Sequence, residues 1–203
     1  MDHPAEAPYR FITQRPARGI MRHPGFRLGF RHLAPRGLSF DAAVFHHQLP
    51  ELGDLAGAYP DTTIVLNHMG LAIAMETDER GRAEVLRDWR EALRKLAGHD
   101  NVVCKVGGLG LPFWGFGFEQ RADRPGYLEL ASAWRPYVET AVEAFGAERC
   151  LMESNFPPDR RSCDYVTLWN ALKHIVRAAS DHEKASLFYG TAARVYRIQR
   201  AAD

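Results

Sequence analysis

Apolar and polar positions repeat along this chain with two periods, which predict strands and helices in alternation. Short apolar runs predict four strands, at residues 38–45, 62–66, 102–106 and 150–153. Apolar residues three and four positions apart predict the helices that follow them, over residues 50–59, 85–97, 134–145 and 165–176. Ser180 and Glu183 form a capping box that opens a final helix. Because helices that join consecutive strands leave those strands parallel, the pattern predicts an α/β fold with a parallel sheet.

The segment before the first predicted strand differs from the rest of the chain. Residues 1–37 are rich in Pro, Arg, Gly and His and show little periodicity, which predicts a loop-rich segment with one short strand near residues 19–21. The β/α repeats occupy residues 38–198. We therefore expect one domain over residues 1–203, with a loop-rich beginning.

Polar side chains follow the end of each predicted strand, and this feature favours a barrel over an open doubly wound sheet. The residues concerned are His46, His47, Gln48, Asn67, His68, Lys105, Glu153, Ser154 and Asn155. In a (β/α)8 barrel the carboxyl ends of the strands carry the active site. No GxGxxG follows a strand, so a dinucleotide-binding domain is not expected. The run Gly107-Gly108-Leu109-Gly110 predicts a bend that keeps its loop clear of the barrel mouth.

Composition removes several classes of function. The 203 residues include 26 basic and 25 acidic side chains, and this balance argues against nucleic acid as the main partner. No apolar run is long enough to cross a membrane, and the first residues do not read as a secretory signal. The three cysteines are odd in number and have no CxxC spacing, which predicts structural burial in a reduced, cytoplasmic protein.

Histidines supply the first candidate chemistry. His68 ends an apolar strand, where its imidazole could bind a divalent metal or transfer protons; the alternative is a core histidine bonded to the backbone. His46 and His47 are neighbours, so in an extended backbone only one of them faces the site. Gln48 could hydrogen-bond a substrate or cap the helix after it.

Lys105, Glu153 and the segment after Glu153 supply the other candidates. Lys105 interrupts an apolar strand, which predicts either a substrate-binding ammonium or an ion pair with Glu153. Glu153 is a general acid/base or that partner. Asn155 can orient a substrate but cannot act as a carboxylate base. Asp159 lies four residues further on, where entry into a helix is sufficient explanation.

Several motifs, in order, resemble those of the amidohydrolase-related TIM-barrel family, which includes sugar lactonases, 2-pyrone-4,6-dicarboxylate lactonase and a decarboxylase. They are VFHHQLP at residues 44–50, VLNHMG at 65–70, NVVCKVGG at 101–108, FGAERCLMESNFP at 145–157 and LFYGTAARVYR at 187–197. The resemblance implies a TIM barrel. It matches His68 to an active-site histidine, His47 to the histidine of a PHQLP motif, and Asn155 to a catalytic or metal-binding aspartate.

The resemblance also implies a function and a cofactor. It predicts a hydrolase that acts on a lactone or amide of a carboxylated small molecule by attack of an activated water, with His68, Asn155 and Lys105 as catalytic residues and Gln48 and Lys105 as substrate-binding residues. His47 and His68 would ligate a divalent metal such as zinc, or no metal would be needed. A decarboxylase on the same scaffold and a catalytically inactive barrel segment are the alternatives.

Length and one absent motif complicate these expectations. A (β/α)8 barrel takes roughly 250 residues, so a chain of 203 residues predicts an incomplete barrel that covers about the fourth to the eighth strand. The family's first strand ends in a His-x-His pair, which this chain lacks. Such a sheet would expose an edge, for which a homo-oligomer is one cover.

Overall fold

The computed structural model describes residues 16–199, and in them a parallel sheet has helices on both of its faces. The strands are β1 (Phe40–Ala42), β2 (Ile64–Leu66), β3 (Val102–Val106) and β4 (Cys150–Met152). They lie in the order β1-β2-β3-β4, and each neighbouring pair is parallel. The predicted α/β class and parallel sheet are therefore confirmed.

Seven α-helices connect and cover these strands in the described part of the chain. They are α1 (Pro24–Phe30), α2 (Leu49–Ala58), α3 (Glu79–Ala97), α4 (Tyr127–Phe145), α5 (Tyr165–Ile175), α6 (Asp181–Ala185) and α7 (Thr191–Tyr196). A π-helical turn, Ser186–Gly190, joins α6 to α7. Ser180 and Glu183 form the predicted capping box at the start of α6.

The segment before β1 contains more helix than the sequence pattern predicts. Residues 1–15 lie outside the described residues, and the predicted strand near residue 20 is wrong, because Ile20–Arg22 is a 3-10 turn. In α1, Phe30 packs edge-on against Phe40 of β1 with ring centroids 5.2 Å apart. His23 caps α1 by accepting the Gly25 N–H on its Nδ1, and Pro24 occupies the first helical position.

Helix α4 also begins earlier than its apolar spacing predicts. The spacing places its start near Trp134, which would put Pro136 in the first turn. The helix instead begins at Tyr127, and Pro136 lies in its interior. Proline has no N–H to donate there, and the Thr140 hydroxyl donates to the Pro136 carbonyl at 2.6 Å.

The two faces of the sheet are covered differently. The outer face carries Ile64, Leu66, Cys104 and Cys150 into one large core with helices α2 to α5. The inner face carries a small apolar cluster, Val65, Val103 and Leu151, which Ala192 and Val195 of α7 cover. In a closed barrel the inner face is the barrel interior.

Candidate active site

His68 and Glu153 meet at the carboxyl end of the sheet. His68 lies two residues beyond β2, and Glu153 directly follows β4, where its N–H donates to the Val106 carbonyl at 3.0 Å and prolongs the ladder. The His68 Nδ1 lies 2.5 Å from the Glu153 Oε1, and each side chain is 16% exposed. Because a carboxylate only accepts hydrogen bonds, Nδ1 carries a proton, and in the neutral imidazole Nε2 is then an acceptor.

A second pair, Asn155 and Asp159, lies in the turn that follows Glu153. The Asn155 Nδ2 donates to the Asp159 Oδ1 at 2.6 Å, and Asp159 is fully buried. Burial raises the pKa of Asp159 to about 7, although the Gly110 N–H, the Asn155 amide and His68 favour its charged form. The side chains of these four residues, His68, Glu153, Asn155 and Asp159, are called the mouth site below.

The backbone of the mouth site is locally strained. His68 and Asn155 have φ values of 53° and 50°, and Met69 has a φ of 54°. Non-glycine residues rarely adopt this left-handed region, and they cluster at functional sites. Two buried tryptophans hold the adjoining loops, since the Trp89 Nε1 donates to the Met69 carbonyl at 2.7 Å and the Trp114 Nε1 donates to the Gly108 carbonyl at 2.9 Å.

The glycine run after β3 lies directly against the mouth site. A Cβ on Gly108, where φ is 67°, would lie 2.6 Å from the His68 Nδ1, and a Cβ on Gly110 would lie 2.8 Å from the Asp159 Cβ. A Cβ on Gly107 would clash with Glu153 in the same way. The prediction that this run keeps the loop clear of the mouth is therefore wrong. Its glycines let the loop pack onto the site.

Lys105 lies in a different cluster. Its Nζ is 2.8 Å from the Asp41 Oδ2, and the Tyr196 hydroxyl donates to the same oxygen at 2.9 Å. Burial lowers the pKa of Lys105, but hydrogen bonds to Asp41 and Tyr196 outweigh it and leave the pKa raised. The expected ion pair of Lys105 with Glu153 is wrong, because Asp41 is the partner of Lys105 and His68 that of Glu153. Asp41, Lys105 and Tyr196 are called the inner-face cluster below.

The VFHHQLP motif forms a 3-10 turn, His46–Gln48, at the start of α2. The Gln48 Oε1 accepts the Phe45 N–H at 3.2 Å and so caps this 3-10 turn, whereas the buried Gln48 side chain makes no capping hydrogen bond at the start of α2, the helix that it was expected to cap. The His46 Nδ1 accepts the Ile73 N–H at 3.3 Å, whereas His47 is exposed. The roles of Gln48 in substrate binding and of His47 in metal binding stay predictions.

The potential metal ligands in the described residues do not form a complete metal site. Within residues 16–199, no three His, Cys, Asp or Glu side chains come close enough together to hold a metal ion. At the mouth, Nδ1 of His68 is engaged by Glu153, and the family's aspartate is replaced by Asn155, whose neutral amide is a weak ligand. The residues present therefore do not fit a zinc site of three or four protein ligands.

Other chemistry in the described residues is accounted for. Burial raises the pKa values of Cys150 and Cys163 to about 12, and Cys104 is also buried, so these thiols are structural as predicted.

A cavity of about 470 Å³ lies at the amino ends of the strands, where its lining residues Asn101 and Arg149 already donate to backbone carbonyls. No helix in residues 16–199 is both long and apolar enough to cross a bilayer.

The sequence analysis missed Asp41 and the packing of the glycine run, and it named Asp159 without its role. Asp41 had a signal, since Asp41 pairs with Val65 in register and shares the inner face with Lys105. The glycines had one too, because three glycines directly after a strand indicate close approach of the backbone to something else. Asp159 was explained by helix entry, whereas the structure buries it and bonds it to the Gly110 N–H and the Asn155 amide.

A parallel sheet with helices outside and polar groups at the carboxyl ends of its strands is the architecture of α/β proteins, whose functional sites lie at that edge. The sequence model of one such family, described as Amidohydrolase, matches residues 5–198. The chain belongs to the amidohydrolase family, as the motifs predict. Members of this family are typically metal-dependent.

Two curated relatives extend this result. The chain is 37% identical over 179 residues to an uncharacterized protein, y4mH, of Sinorhizobium fredii, and covers 54% of it with 88% of its own length. It is 29% identical over 188 residues to an L-fucono-1,5-lactonase of Burkholderia multivorans, and covers 60% of that enzyme with 92% of its own length. The chain thus spans between half and three fifths of the length of these two relatives.

The solved structures agree on the fold. A crystal structure of an amidohydrolase from Burkholderia multivorans with bound HEPES superimposes with a TM-score of 0.74 at 27% identity, over 90% of this chain and 61% of that one. A second crystal form of that amidohydrolase, with bound zinc, gives a TM-score of 0.73 at 24% identity, over 97% of this chain and 70% of that one. The predicted partial TIM-barrel fold is confirmed by this likeness.

Proposed function

We propose that this protein hydrolyses a lactone of a carboxylated small molecule, with His68 as the general base at the mouth site. The observation that carries the proposal is the 2.5 Å contact between the His68 Nδ1 and Glu153 at the carboxyl ends of the strands. The family match and the similarity to an L-fucono-1,5-lactonase support the reaction class.

The geometry gives each residue a task. Glu153 accepts a hydrogen bond from the Nδ1–H of His68 and so fixes the orientation of the ring. The Nε2 of His68 can then take a proton from a water molecule while the water oxygen attacks the lactone carbonyl carbon. When the ring C–O bond breaks, the imidazolium returns that proton to the leaving alkoxide oxygen. The products are one hydroxy acid and the regenerated imidazole, so the step balances without another reactant.

The experiment is a hydrolysis screen of the purified chain against sugar-acid 1,5-lactones, L-fucono-1,5-lactone included, read by acid release. We expect turnover by the wild type, and a fall in kcat of about 10²- to 10⁴-fold for His68→Gln. The matched control is His182→Gln, because His182 also contacts a glutamate, Glu148, but on the surface with both side chains 77% exposed. Absence of turnover by folded wild-type protein, or equal rates for the two variants, would overturn the proposal.

Zinc dependence is a separate proposal, supported by the zinc bound in one related structure. The screen therefore runs with EDTA and with added Zn²⁺. We derive no step through a metal, since the described donors do not fit one. Activity that EDTA leaves unchanged contradicts zinc dependence and leaves the role of His68 intact.

Further expectations from the sequence stay proposals: one domain over residues 1–203, a cytoplasmic location, and a homo-oligomer that covers an open sheet edge. The buried, unpaired thiols of Cys104, Cys150 and Cys163 support a reducing compartment. In the described residues β1 and β4 are the edge strands, which supports a homo-oligomer that covers a sheet edge. Light scattering of the purified chain tests it: a monomer contradicts the oligomer.

A further inference from the structure

Asn155 stands where the family motif has an aspartate, and its amide group has a definite partner. The Asn155 Nδ2 lies 2.6 Å from the Asp159 Oδ1. The second carboxylate oxygen of Asp159, Oδ2, accepts the Gly110 N–H at 2.9 Å. Asp159 is fully buried and bonded through both of its oxygens, so it is a fixed acceptor beside a more accessible amide.

This contact decides which way the amide of Asn155 faces. A carboxylate whose two oxygens both accept hydrogen bonds can be approached only by the NH2 end of an amide. The planar amide then presents its Oδ1 on the side away from Asp159. Asp159 is buried and Asn155 is only partly buried, so the side of the amide away from Asp159 is the more exposed one.

Two further hydrogen bonds and the backbone conformation of Asn155 hold the Asn155–Asp159 pair in place. The Asp159 N–H donates to the Asn155 carbonyl at 3.2 Å. The Ser162 hydroxyl donates to the Gly110 carbonyl at 2.6 Å, which ties the glycine run to the turn that carries Asp159. The left-handed conformation of Asn155, with a φ of 50°, is one that asparagine adopts more readily than most residues.

We propose that Asp159 is a positioning residue that turns the amide oxygen of Asn155 toward the mouth, so that Asn155 acts as a hydrogen-bond acceptor for an O–H of the attacking water or the substrate. The acceptor role rests on the proposed function; the orientation of the amide does not. In this arrangement Asn155 gives the site an oxygen acceptor, as the family's aspartate would at the same position. Unlike that aspartate, the Asn155 amide carries no negative charge and cannot take up a proton.

The test exchanges the two side chains and is run above the Asp159 pKa of about 7, where that side chain is a carboxylate. In Asp159→Asn, the new amide accepts from Gly110 with its oxygen and offers its NH2 to Asn155, so Asn155 must turn and present its own NH2 to the mouth. In the double variant Asn155→Asp/Asp159→Asn, the NH2 of residue 159 meets a carboxylate, and an oxygen again faces the mouth. We expect kcat to fall at least about tenfold in Asp159→Asn and to recover most of that loss in the double variant.

A spectroscopic readout separates orientation from turnover. The side-chain NH2 signals of Asn155 in ¹H–¹⁵N spectra are assigned by their loss in Asn155→Asp. We expect them to shift in Asp159→Asn, because they leave a charged acceptor. The matched control is Asn101, whose Nδ2 donates to the Tyr59 and Thr62 carbonyls at 3.0 Å and whose signals should not move.

Each result has one meaning. Shifted Asn155 signals with rescue of kcat by the double variant support the proposal, whereas unchanged Asn155 signals overturn it. Shifted signals without rescue overturn the acceptor role. If the wild type hydrolyses no lactone, the proposed function fails, and the spectra still decide whether Asp159 orients Asn155.

Discussion

The mouth site and the inner-face cluster each place a carboxylate with a basic side chain on the same sheet, yet their surroundings differ. At the mouth, His68 and Asn155 have left-handed backbone, and glycines press against the side chains. In the inner-face cluster, Lys105 projects from the regular strand β3, and its partner Asp41 projects from the regular strand β1. Irregular backbone is costly and persists where the surrounding structure enforces it.

The two pairs also differ in the groups that occupy their remaining polar atoms, which is what the proposed function of His68 rests on. Asp41 binds both Lys105 and the Tyr196 hydroxyl of α7, so this cluster ties that helix to the sheet. His68 has one carboxylate on one nitrogen and keeps the second nitrogen as an acceptor, which is an arrangement for proton transfer. Three predictions test this contrast, from the largest expected effect to the smallest.

The largest effect is expected for Gly108→Ala, which would disturb the mouth site and leave the inner-face cluster unchanged. The new Cβ would lie 2.6 Å from the His68 Nδ1 at a φ of 67°. A left-handed alanine costs roughly 1–2 kcal/mol and overpacking roughly 1–3 kcal/mol, so urea unfolding should show a loss of about 2–5 kcal/mol. Turnover of any lactone that the wild type hydrolyses should fall with it, because His68 must move.

Gly117→Ala is the matched control for Gly108→Ala. Gly117 has a φ of 73°, but a Cβ there would meet no atom within 4 Å. We expect only the left-handed cost, about 1–2 kcal/mol, and unchanged turnover. Equal stability losses in the two variants would show that the glycine run is not packed on the mouth site.

The second prediction concerns pH and Asp159. Its pKa is raised by burial from 3.8 to about 7 in the folded protein, so the folded state binds the proton more tightly than the unfolded chain does. The penalty for ionising Asp159 is therefore fully present above pH 7 and is relieved as the pH falls from 7 toward 4. Wild-type stability should gain on the order of 1–3 kcal/mol over that range from this group.

Asp159→Asn removes this contribution, since an amide does not titrate. The pH dependence of its Tm between pH 8 and pH 5 should therefore be flatter than that of the wild type. Asp54→Asn is the control, because Asp54 is an exposed partner of Arg22 and has no burial penalty to remove. Wild-type and Asp159→Asn curves that run parallel would contradict a buried, ionisable Asp159.

The smallest effect is expected in the inner-face cluster. Tyr196→Phe removes the hydroxyl that donates to Asp41 and should cost about 1 kcal/mol in urea unfolding, with no change in the KM for the lactone. Lys105→Met tests the prediction that Lys105 binds substrate. A higher KM in Lys105→Met, with Tyr196→Phe unaffected, would support substrate binding, whereas an unchanged KM would show that Lys105 only holds α7.

Periodicity predicts every strand of the sheet and the helices after them, but not all of their ends, since β1 covers only Phe40–Ala42 and α3 begins at Glu79. The strand Val102–Val106 was predicted to the residue, and the helices after β1 and β4 were predicted to within about a residue at each end. Alternation of apolar and polar residues directly reflects which side of a strand or helix is buried. Helix α1 was missed because its sequence, PGFRLGF, holds two glycines and a proline, and its stability comes from packing Phe30 onto Phe40.

The mouth site was predictable only in part. His68, Glu153 and Asn155 follow strands, and that position alone marks them as candidates. Which of them pair could not be predicted, because the left-handed turns at His68 and Asn155 change the direction of their side chains away from simple alternation. The partner of Lys105 was likewise missed, since Asp41 lies 64 residues away in sequence and two strands away in the sheet.

The packing of α7 on the inner face also determines the order in which the contacts of the sheet can form during synthesis. Tyr196 bonds to Asp41 across 155 residues, and Arg197 donates to the Gly37 carbonyl across 160 residues. The contacts of Val65, Val103 and Leu151 with α7 therefore form only after residues 191–197 have left the ribosome. All four strands of the described sheet are made before the helix that packs on its inner face.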